Sequence, residues 1–291
     1  MLPHRGLPFF GAHCKIYDMA QLMYGEKIAE EILKELAKQK RKRRPKLVVF
    51  QVGENAISAR YLREKEEAAG RIGVRFSLVK FPKGTSQKKV KEAVEKAGRS
   101  QSVAGIVVQL PLPAKFAAQD ILDAIPLEKD VDVLSSHAFG LFALGKLPIV
   151  PPTAHAIMLL LERYRVAWQG KHIVVVGAGR LVGLPTMLSL VAEKATFSSV
   201  NEKTKSLASF TKQADILISG VGKPKIIKSS MLKKGAVVID AGTSLEKGAT
   251  SGDVDFNNVV SKVRAITPVP GGVGPLTVAC LLENLFILSA Q

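Results

Sequence analysis

Apolar positions recur with a helical period over residues 26–39, where Ile28, Ala29, Ile32, Leu33 and Leu36 alternate with Lys and Glu. This spacing predicts an amphipathic helix. The pattern changes after Pro45: LVVFQVG, residues 47–53, is an unbroken run rich in β-branched residues and reads as a buried strand. From there the two periods take turns, with helices expected over residues 58–71, 87–98 and 117–125 and strands over 74–80 and 103–110. Strands separated by helices imply βαβ units and a mostly parallel sheet. After a helix over 153–164 the same alternation restarts at KHIVVVGAGRLVG, continues through apolar runs at 196–200, 214–222, 235–242 and 262–270, and closes with a helix over 276–288. The expected class is therefore α/β, with two α/β domains joined near residues 140–155. Residues 21–145 form the first and 146–274 the second, and the segment 275–291 folds back onto the first and ties the two together. Residues 1–20, broken by Pro, Gly and His where a signal peptide would be apolar, read as an irregular extension upstream of a start at Met19.

With 291 residues the chain can bury a full core, and its 47% hydrophobic and 23% charged residues exclude a disordered or low-complexity protein. Charge adds a constraint, because 42 Lys+Arg against 25 Asp+Glu give a net +17 and call for an anionic partner. Nucleic acid, a membrane surface and a substrate rich in phosphate or carboxylate all satisfy it. Part of the excess lies in KQKRKRRPK, from Lys38 to Lys46, which has no interleaved aromatic residues for base stacking. A basic nucleic-acid-binding α/β protein is thus the remote alternative. No apolar run approaches the ~20 residues that span a bilayer, so no membrane partner is expected. Cys14 and Cys280 are far apart and lack metal or disulfide-framework spacing, which fits a reducing cytoplasm.

Five stretches carry candidate chemistry. Gly177-Ala178-Gly179-Arg180-Leu181-Val182-Gly183 lies between a strand and an apolar helix, where glycines let backbone N–H groups meet a pyrophosphate. Its G-x-G-x-x-x-G spacing is one residue longer than the standard dinucleotide fingerprint, and a ligand-free βα turn is the alternative. Glu202, 25 residues after Gly177, suits the ribose of NAD, whereas Arg180 and Lys203 suit the 2′-phosphate of NADP. Tyr61 and Lys65 stand four apart on one helix face, where burial would lower the lysine pKa for proton transfer; a solvated lysine beside a core tyrosine is the plainer reading. Ser58 is the expected cap of that helix. Gln109 falls at the C-terminal end of a parallel strand, where α/β sheets bind ligands. Lys129-Asp130-Val131-Asp132 has a paired-carboxylate look but no third ligand, so a turn is expected and no metal is assigned. Thr267-Pro268-Val269-Pro270-Gly271-Gly272-Val273-Gly274-Pro275 is stiff and poor in side chains, suited to backing a planar ligand. His137, His155 and His172 read as packing or surface residues.

The segment ITPVPGGVGPLTVACLLENL, with S-x-x-Y-x-x-x-K from Ser58 to Lys65, VVQLPLP, KDVD and SGDVDF, resembles the bifunctional methylenetetrahydrofolate dehydrogenase/methenyltetrahydrofolate cyclohydrolase family from about Gln21 to Gln291. The resemblance implies an N-terminal folate-binding catalytic domain, a C-terminal Rossmann domain, a cleft between them and a homodimer. It implies NADP as cofactor, with NAD open, and tetrahydrofolate substrates, polyglutamylated forms included. One-carbon metabolism feeding purine, methionine and histidine biosynthesis goes with it. Residue by residue, Tyr61 matches the tyrosine that stacks on the folate, Lys65 the catalytic lysine, Gln109 the glutamine supporting it and Asp132 the aspartate that grips the pterin. Pro270, Gly271 and Gly272 fall in the folate-facing wall. Gly177, Ala178, Gly179 and Arg180 fall in the cofactor loop, with Thr243 where D-x-G-I-N has Ile. The chain departs from the pattern at Val133, where KDVDG has Gly, at Ala138, which replaces an Asn, at Gly179, where Ser is usual, and at Asn201, where His is common. P-C-T-P-x-G becomes Pro151-Pro152-Thr153-Ala154-His155-Ala156.

Overall fold

The computed structural model describes residues 20–39, 43–246 and 248–290, apart from the side chains of residues 56 and 57. The expected extension up to residue 19 and the centre of the basic run, Lys40, Arg41 and Lys42, lie outside the described residues. The first half runs β1 (Gln21–Leu22), α1 (Gly25–Lys38), β2 (Lys46–Val52), α2 (Ala56–Arg71), β3 (Arg75–Phe81), α3 (Gln87–Arg99), β4 (Gly105–Val108), α4 (Ala118–Leu122) and α5 (Ser136–Ala143). The second runs α6 (Pro152–Arg163), β5 (His172–Val176), α7 (Gly183–Ala192), β6 (Thr196–Val200), α8 (Leu207–Thr211), β7 (Ile216–Ser219), β8 (Val237–Asp240), β9 (Ser244–Glu246), β10 (Ala249–Ser251), α9 (Phe256–Val259), β11 (Ala265–Ile266) and α10 (Val273–Leu288).

Two parallel sheets result, β3-β2-β4 and β1-β11-β8-β7-β5-β6, with β9 and β10 forming a separate antiparallel hairpin. Their central strands show why the sequence gives unbroken apolar runs there. Along β2, Leu47 and Val49 enter one cluster of buried residues while Val48, Phe50 and Val52 enter another. Along β5, Ile173 and Val175 likewise face away from Val174 and Val176. A strand covered on both faces has no polar side to show.

Leu47 and Val49 share one continuous cluster with Ile173 and Val175, and α10 supplies much of what connects them. Leu276, Leu281, Leu282 and Leu285 of α10 are all buried, and each contributes about 1.5–3 kcal/mol. The helix packs on α1, α6 and α2. A helix apolar on every side is one enclosed on every side.

The chain start differs from expectation. Gln21 and Leu22 pair in parallel with Ala265 and Ile266, so β1 is the edge strand of the second sheet rather than part of the first domain. The chain then crosses over, and the Tyr164 hydroxyl fixes the crossing by accepting from Tyr24 N at 2.8 Å and donating to Tyr24 O at 3.2 Å.

Candidate functional site

A cleft of about 730 Å³ opens between the two sheets. Its walls come from the C-terminal ends of β4, β5, β7 and β8, with α2 on one side, which is where ligands sit in open α/β sheets. The structure brings Tyr61, Lys65, Gln109 and Asp132 together with Gly179, Arg180 and Thr243 along this one cleft.

Lys65 is 7% exposed, and its ammonium donates to Gln109 Oε1 at 3.1 Å. Gln109 is oriented in turn, because its amide donates to Leu110 O at 3.0 Å and leaves the oxygen facing the lysine. Burial pushes the Lys65 pKa down, and the Asp132 carboxylate partly restores it. The carboxylate responds to the same environment: burial raises the Asp132 pKa, Lys65 lowers it and Asp130 adds to the rise. An amine in this setting exchanges protons at lower pH than a solvated lysine. The solvated reading of Lys65 is thereby corrected.

Helix α2 places Tyr61 and Lys65 on one face as their spacing predicts, but Ser58 is not its cap. Asn55 Oδ1 accepts from Ser58 N at 3.1 Å, and the Ser58 hydroxyl reaches Leu110 O at 3.4 Å, tying α2 to the strand end that carries Gln109. The Tyr61 hydroxyl meets Thr243 Oγ1 at 2.8 Å, across the two halves of the chain. Burial raises the Tyr61 pKa against this bond, so the group stays a phenol. One residue earlier, Arg60 pairs with Glu64 at 2.8 Å and bonds Thr250 Oγ1 of the β9–β10 hairpin. Sequence spacing gave no sign of either cross-link, and Thr243 was expected only at the cofactor.

Pro270, Gly271 and Gly272 line a hollow of about 110 Å³ behind Tyr61 with Glu26, Arg60 and Glu64, while Val273 and Gly274 face the main cleft. Packing on α1 accounts for the glycines. Gly25 N donates to Gly271 O at 2.9 Å, Gly271 has φ of 106°, and a Cβ on Gly25 would lie 2.0 Å from Gly272 O. Of the expected wall, residues 273 and 274 line the main cleft and residues 270–272 the adjoining hollow.

On the opposite side the turn after β5 is built for backbone approach. Gly177 has φ of 93°, and a Cβ on Gly183 would come within 1.8 Å of Gly177 O, so the start of α7 rests directly on the turn. A Cβ on Gly179 would meet nothing within 4 Å, which leaves its backbone open towards the cleft. Arg180 is exposed and lines the cleft, and Ala178 beside it in the turn is exposed as well. Asn201 Oδ1 accepts from Lys203 N at 2.9 Å in a tight turn that leaves Glu202 and Lys203 both exposed. These residues fit a dinucleotide, with an open N–H turn at a helix start and cations beside it.

Two buried carboxylates brace that wall. Asp253 accepts from the Ser219 hydroxyl at 2.7 Å, Val221 N at 2.6 Å and Lys223 N at 2.9 Å, while Asp240 accepts from Gly242 N at 3.0 Å, Asp253 N at 3.1 Å and Val254 N at 2.9 Å. This explains the first aspartate of SGDVDF, Asp253, which sequence reasoning did not assign. Burial pushes the Asp240 pKa up to about 7. Asp130 works similarly in the first half, where its oxygens collect Leu134 N and Ser135 N, at 2.8 Å for the shorter Ser135 bond. The turn reading of KDVD holds for it. Within that turn Val133 is fully buried with φ of 56°, a conformation that β-branched residues rarely adopt. The strain, about 1–3 kcal/mol, is offset by burial worth about 1.5–3 kcal/mol. Buried Asn284 of α10, also overlooked, donates to Val131 O at 3.0 Å and Val150 O at 2.8 Å and so fixes the chain beside Asp132. A buried amide in a largely apolar helix was the available signal. Of the histidines, His172 bonds Ser198 Oγ at 2.9 Å and His155 faces Glu283.

Comparison with known proteins assigns both halves. The catalytic-domain model of tetrahydrofolate dehydrogenase/cyclohydrolase matches residues 23–132, and the corresponding NAD(P)-binding-domain model matches residues 151–291. The chain belongs to the tetrahydrofolate dehydrogenase/cyclohydrolase family. Among its relatives is bifunctional protein FolD 2 of Lactobacillus johnsonii, 39% identical over 278 residues, 94% of this chain and 99% of the relative. The bifunctional FolD protein of Sulfurihydrogenibium sp. is 43% identical over 263 residues, covering 89% of this chain and 92% of the relative. Among solved structures, FolD from Campylobacter jejuni superposes with a TM-score of 0.88 at 35% identity, covering 93% of this chain and 99% of that one. The Trypanosoma brucei dehydrogenase-cyclohydrolase, complexed with NADP and an inhibitor, gives 0.88 at 34% identity, with 94% and 98% covered. The family's two-domain α/β architecture is the one described above.

Proposed function

We propose that this chain oxidises 5,10-methylenetetrahydrofolate to the 5,10-methenyl form with NADP and then hydrolyses that cation to 10-formyltetrahydrofolate, both in the one cleft. The observation that carries the reading is the buried Lys65–Gln109 pair, 3.1 Å apart, lining the same cleft as Gly179 and Arg180. NADP supplies a hydride acceptor for the substrate's one-carbon bridge. Gly177, Ala178, Gly179 and Arg180 hold it, and Arg180 and Lys203 outnumber Glu202 as partners for its 2′-phosphate, which favours NADP over NAD.

Tyr61 stacks on the folate ring system, and Asp132 accepts hydrogen bonds from the pterin. Because burial favours the neutral amine, Lys65 accepts a proton from the water that adds to the methenyl carbon. Breaking the bond from that carbon to N5 opens the ring: N5 takes the proton back from Lys65, and the hydroxyl of the adduct becomes the formyl oxygen as its proton leaves to solvent. Gln109 keeps Nζ directed at that carbon. The protein's share of the hydride step is alignment.

The same reading proposes polyglutamylated folates as substrates, a cytoplasmic location, a place in supplying one-carbon units for purine, methionine and histidine biosynthesis, and a homodimer. The net +17 charge suits folate carboxylates and dinucleotide phosphates. Among the described residues no helix is long and apolar enough to cross a membrane. Among the described residues the outer edge of β6 is unpaired, and Leu184 and Val191 of α7 are exposed apolar residues, as a second copy would require.

The test follows methenyl formation by its near-ultraviolet absorbance with NADP and then NAD, and separately the decay of added methenyltetrahydrofolate. Lys65→Met is expected to abolish the decay. Undiminished hydrolysis in that variant overturns the role of Lys65, and loss of both activities in folded wild-type protein overturns the function.

A further inference from the structure

We propose that His155, Cys280 and Glu283 form a divalent-metal site of the zinc class, on the interface between α6 and α10 and apart from the folate cleft. Cys280 and Glu283 are three residues apart on one face of α10, and His155 projects from the first turns of α6, which packs against it. One donor atom from each residue lies within 4.8 Å of the other two. A tetrahedral zinc ion, with bonds of about 2.0–2.3 Å, holds its ligand atoms roughly 3.3–3.8 Å apart, so the three side chains need to close by no more than about 1.5 Å.

His155 Nδ1 is buried and has no hydrogen-bond partner among the described residues, although Glu283 Oε2 is only 3.7 Å away. Buried nitrogen donors of this kind are rarely left unpaired. Cys280 is wholly buried and Glu283 is mostly so. Metal entry exchanges the thiol proton for the cation, leaving thiolate, carboxylate and neutral imidazole, a sulfur–oxygen–nitrogen set that suits zinc better than magnesium or calcium. About 30% exposure of the His155 side chain and 32% of that of Glu283 gives the ion a way in and leaves room for water as a fourth ligand. None of the three residues lines the cleft, so the site clamps helices rather than joining the chemistry.

The probe is Co²⁺, added to chelator-treated full chain carrying Cys14→Ser, since Cys14 is the only other cysteine. A thiolate-to-cobalt charge-transfer band saturating at one ion per chain is expected, with Zn²⁺ displacing the colour and raising the thermal midpoint. Cys280→Ser should abolish the band while leaving folate turnover and circular dichroism unchanged. His155→Ala should weaken Zn²⁺ binding by more than the roughly 10–100-fold typical of losing an outer-shell partner. No band, or one that survives Cys280→Ser, overturns the proposal. Zn²⁺ affinity unaffected by His155→Ala overturns it as well. Loss of folate activity in wild-type protein would leave the cobalt band and the Zn²⁺ affinity untouched, so the two readings fail separately.

Discussion

Thr243→Val tests the hydrogen bond that joins Tyr61 to the other half of the chain. Valine keeps the shape of threonine but removes the Oγ1 that lies 2.8 Å from the Tyr61 hydroxyl. The hydroxyl is then left in a mostly buried position without a partner, a loss of about 1–3 kcal/mol. Tyr61→Phe removes the same bond from the other side and should cost less, about 0.5–1.5 kcal/mol, because Thr243 is only half-buried and can turn to water. The double variant contains no stranded group, so its loss should be no larger than that of Thr243→Val alone. Near its thermal midpoint a chain of this size loses roughly 2–4 °C per kcal/mol, which calorimetry or fluorescence-detected melting resolves easily. The cycle would then show a coupling of about 1 kcal/mol. Losses that add to within about 0.5 kcal/mol would refute the reasoning, since independent sites behave that way.

Two further outcomes follow from the buried charges. Asp132→Asn removes the attraction that supports the Lys65 ammonium, so the lysine pKa falls further and the acid limb of methenyl hydrolysis, measured as kcat against pH, should move to lower pH; an upward move contradicts the assignment. Asp240 titrates at about 7 in the fold against 3.8 for the free side chain, so the folded state holds the extra proton; its contribution is full below about pH 4 and is lost as pH rises through 7, in total about 4 kcal/mol. The urea midpoint of the wild type should therefore fall more between pH 5 and pH 8 than that of Asp240→Asn, and an equal slope in the two proteins would count against it.

Where a side chain's role is set by its neighbours in sequence, the sequence was readable. Tyr61 and Lys65 share a face because they are four apart on a helix, and the Gly177 turn follows a strand and starts a helix, so both were visible as patterns. The continuous apolar runs of β2 and β5 announced strands covered on both sides. Contacts made across the fold left no such trace. A two-residue strand has no period to detect, so the pairing of Gln21 and Leu22 with Ala265 and Ile266 was hidden. The Tyr61–Thr243 bond and the meeting of His155 with Cys280 join residues more than a hundred positions apart, and most of the bonds made by Asp240 and Asp253 join residues more than ten apart. Ser58 was misread because Asn55 competes for the same capping role, and the choice depends on how α2 meets the end of β4. Val133 was visible as a departure, but its left-handed backbone and its burial were not.

The pairing of β1 with β11 also sets a schedule for making the protein. Leu22 leaves the ribosome roughly 240 residues before its partner Ile266, an interval of about 10–50 s at ordinary rates of synthesis. During that time the first α/β unit can assemble, but the second sheet has an edge whose strand has been made and has nothing to pair with. Buried Met23, next to that strand, waits with it. Closure of so long a loop makes this pairing a late and slow event in folding. A newly made chain therefore passes through a period in which its N-terminal strand is available to other strands, including those of its own copies.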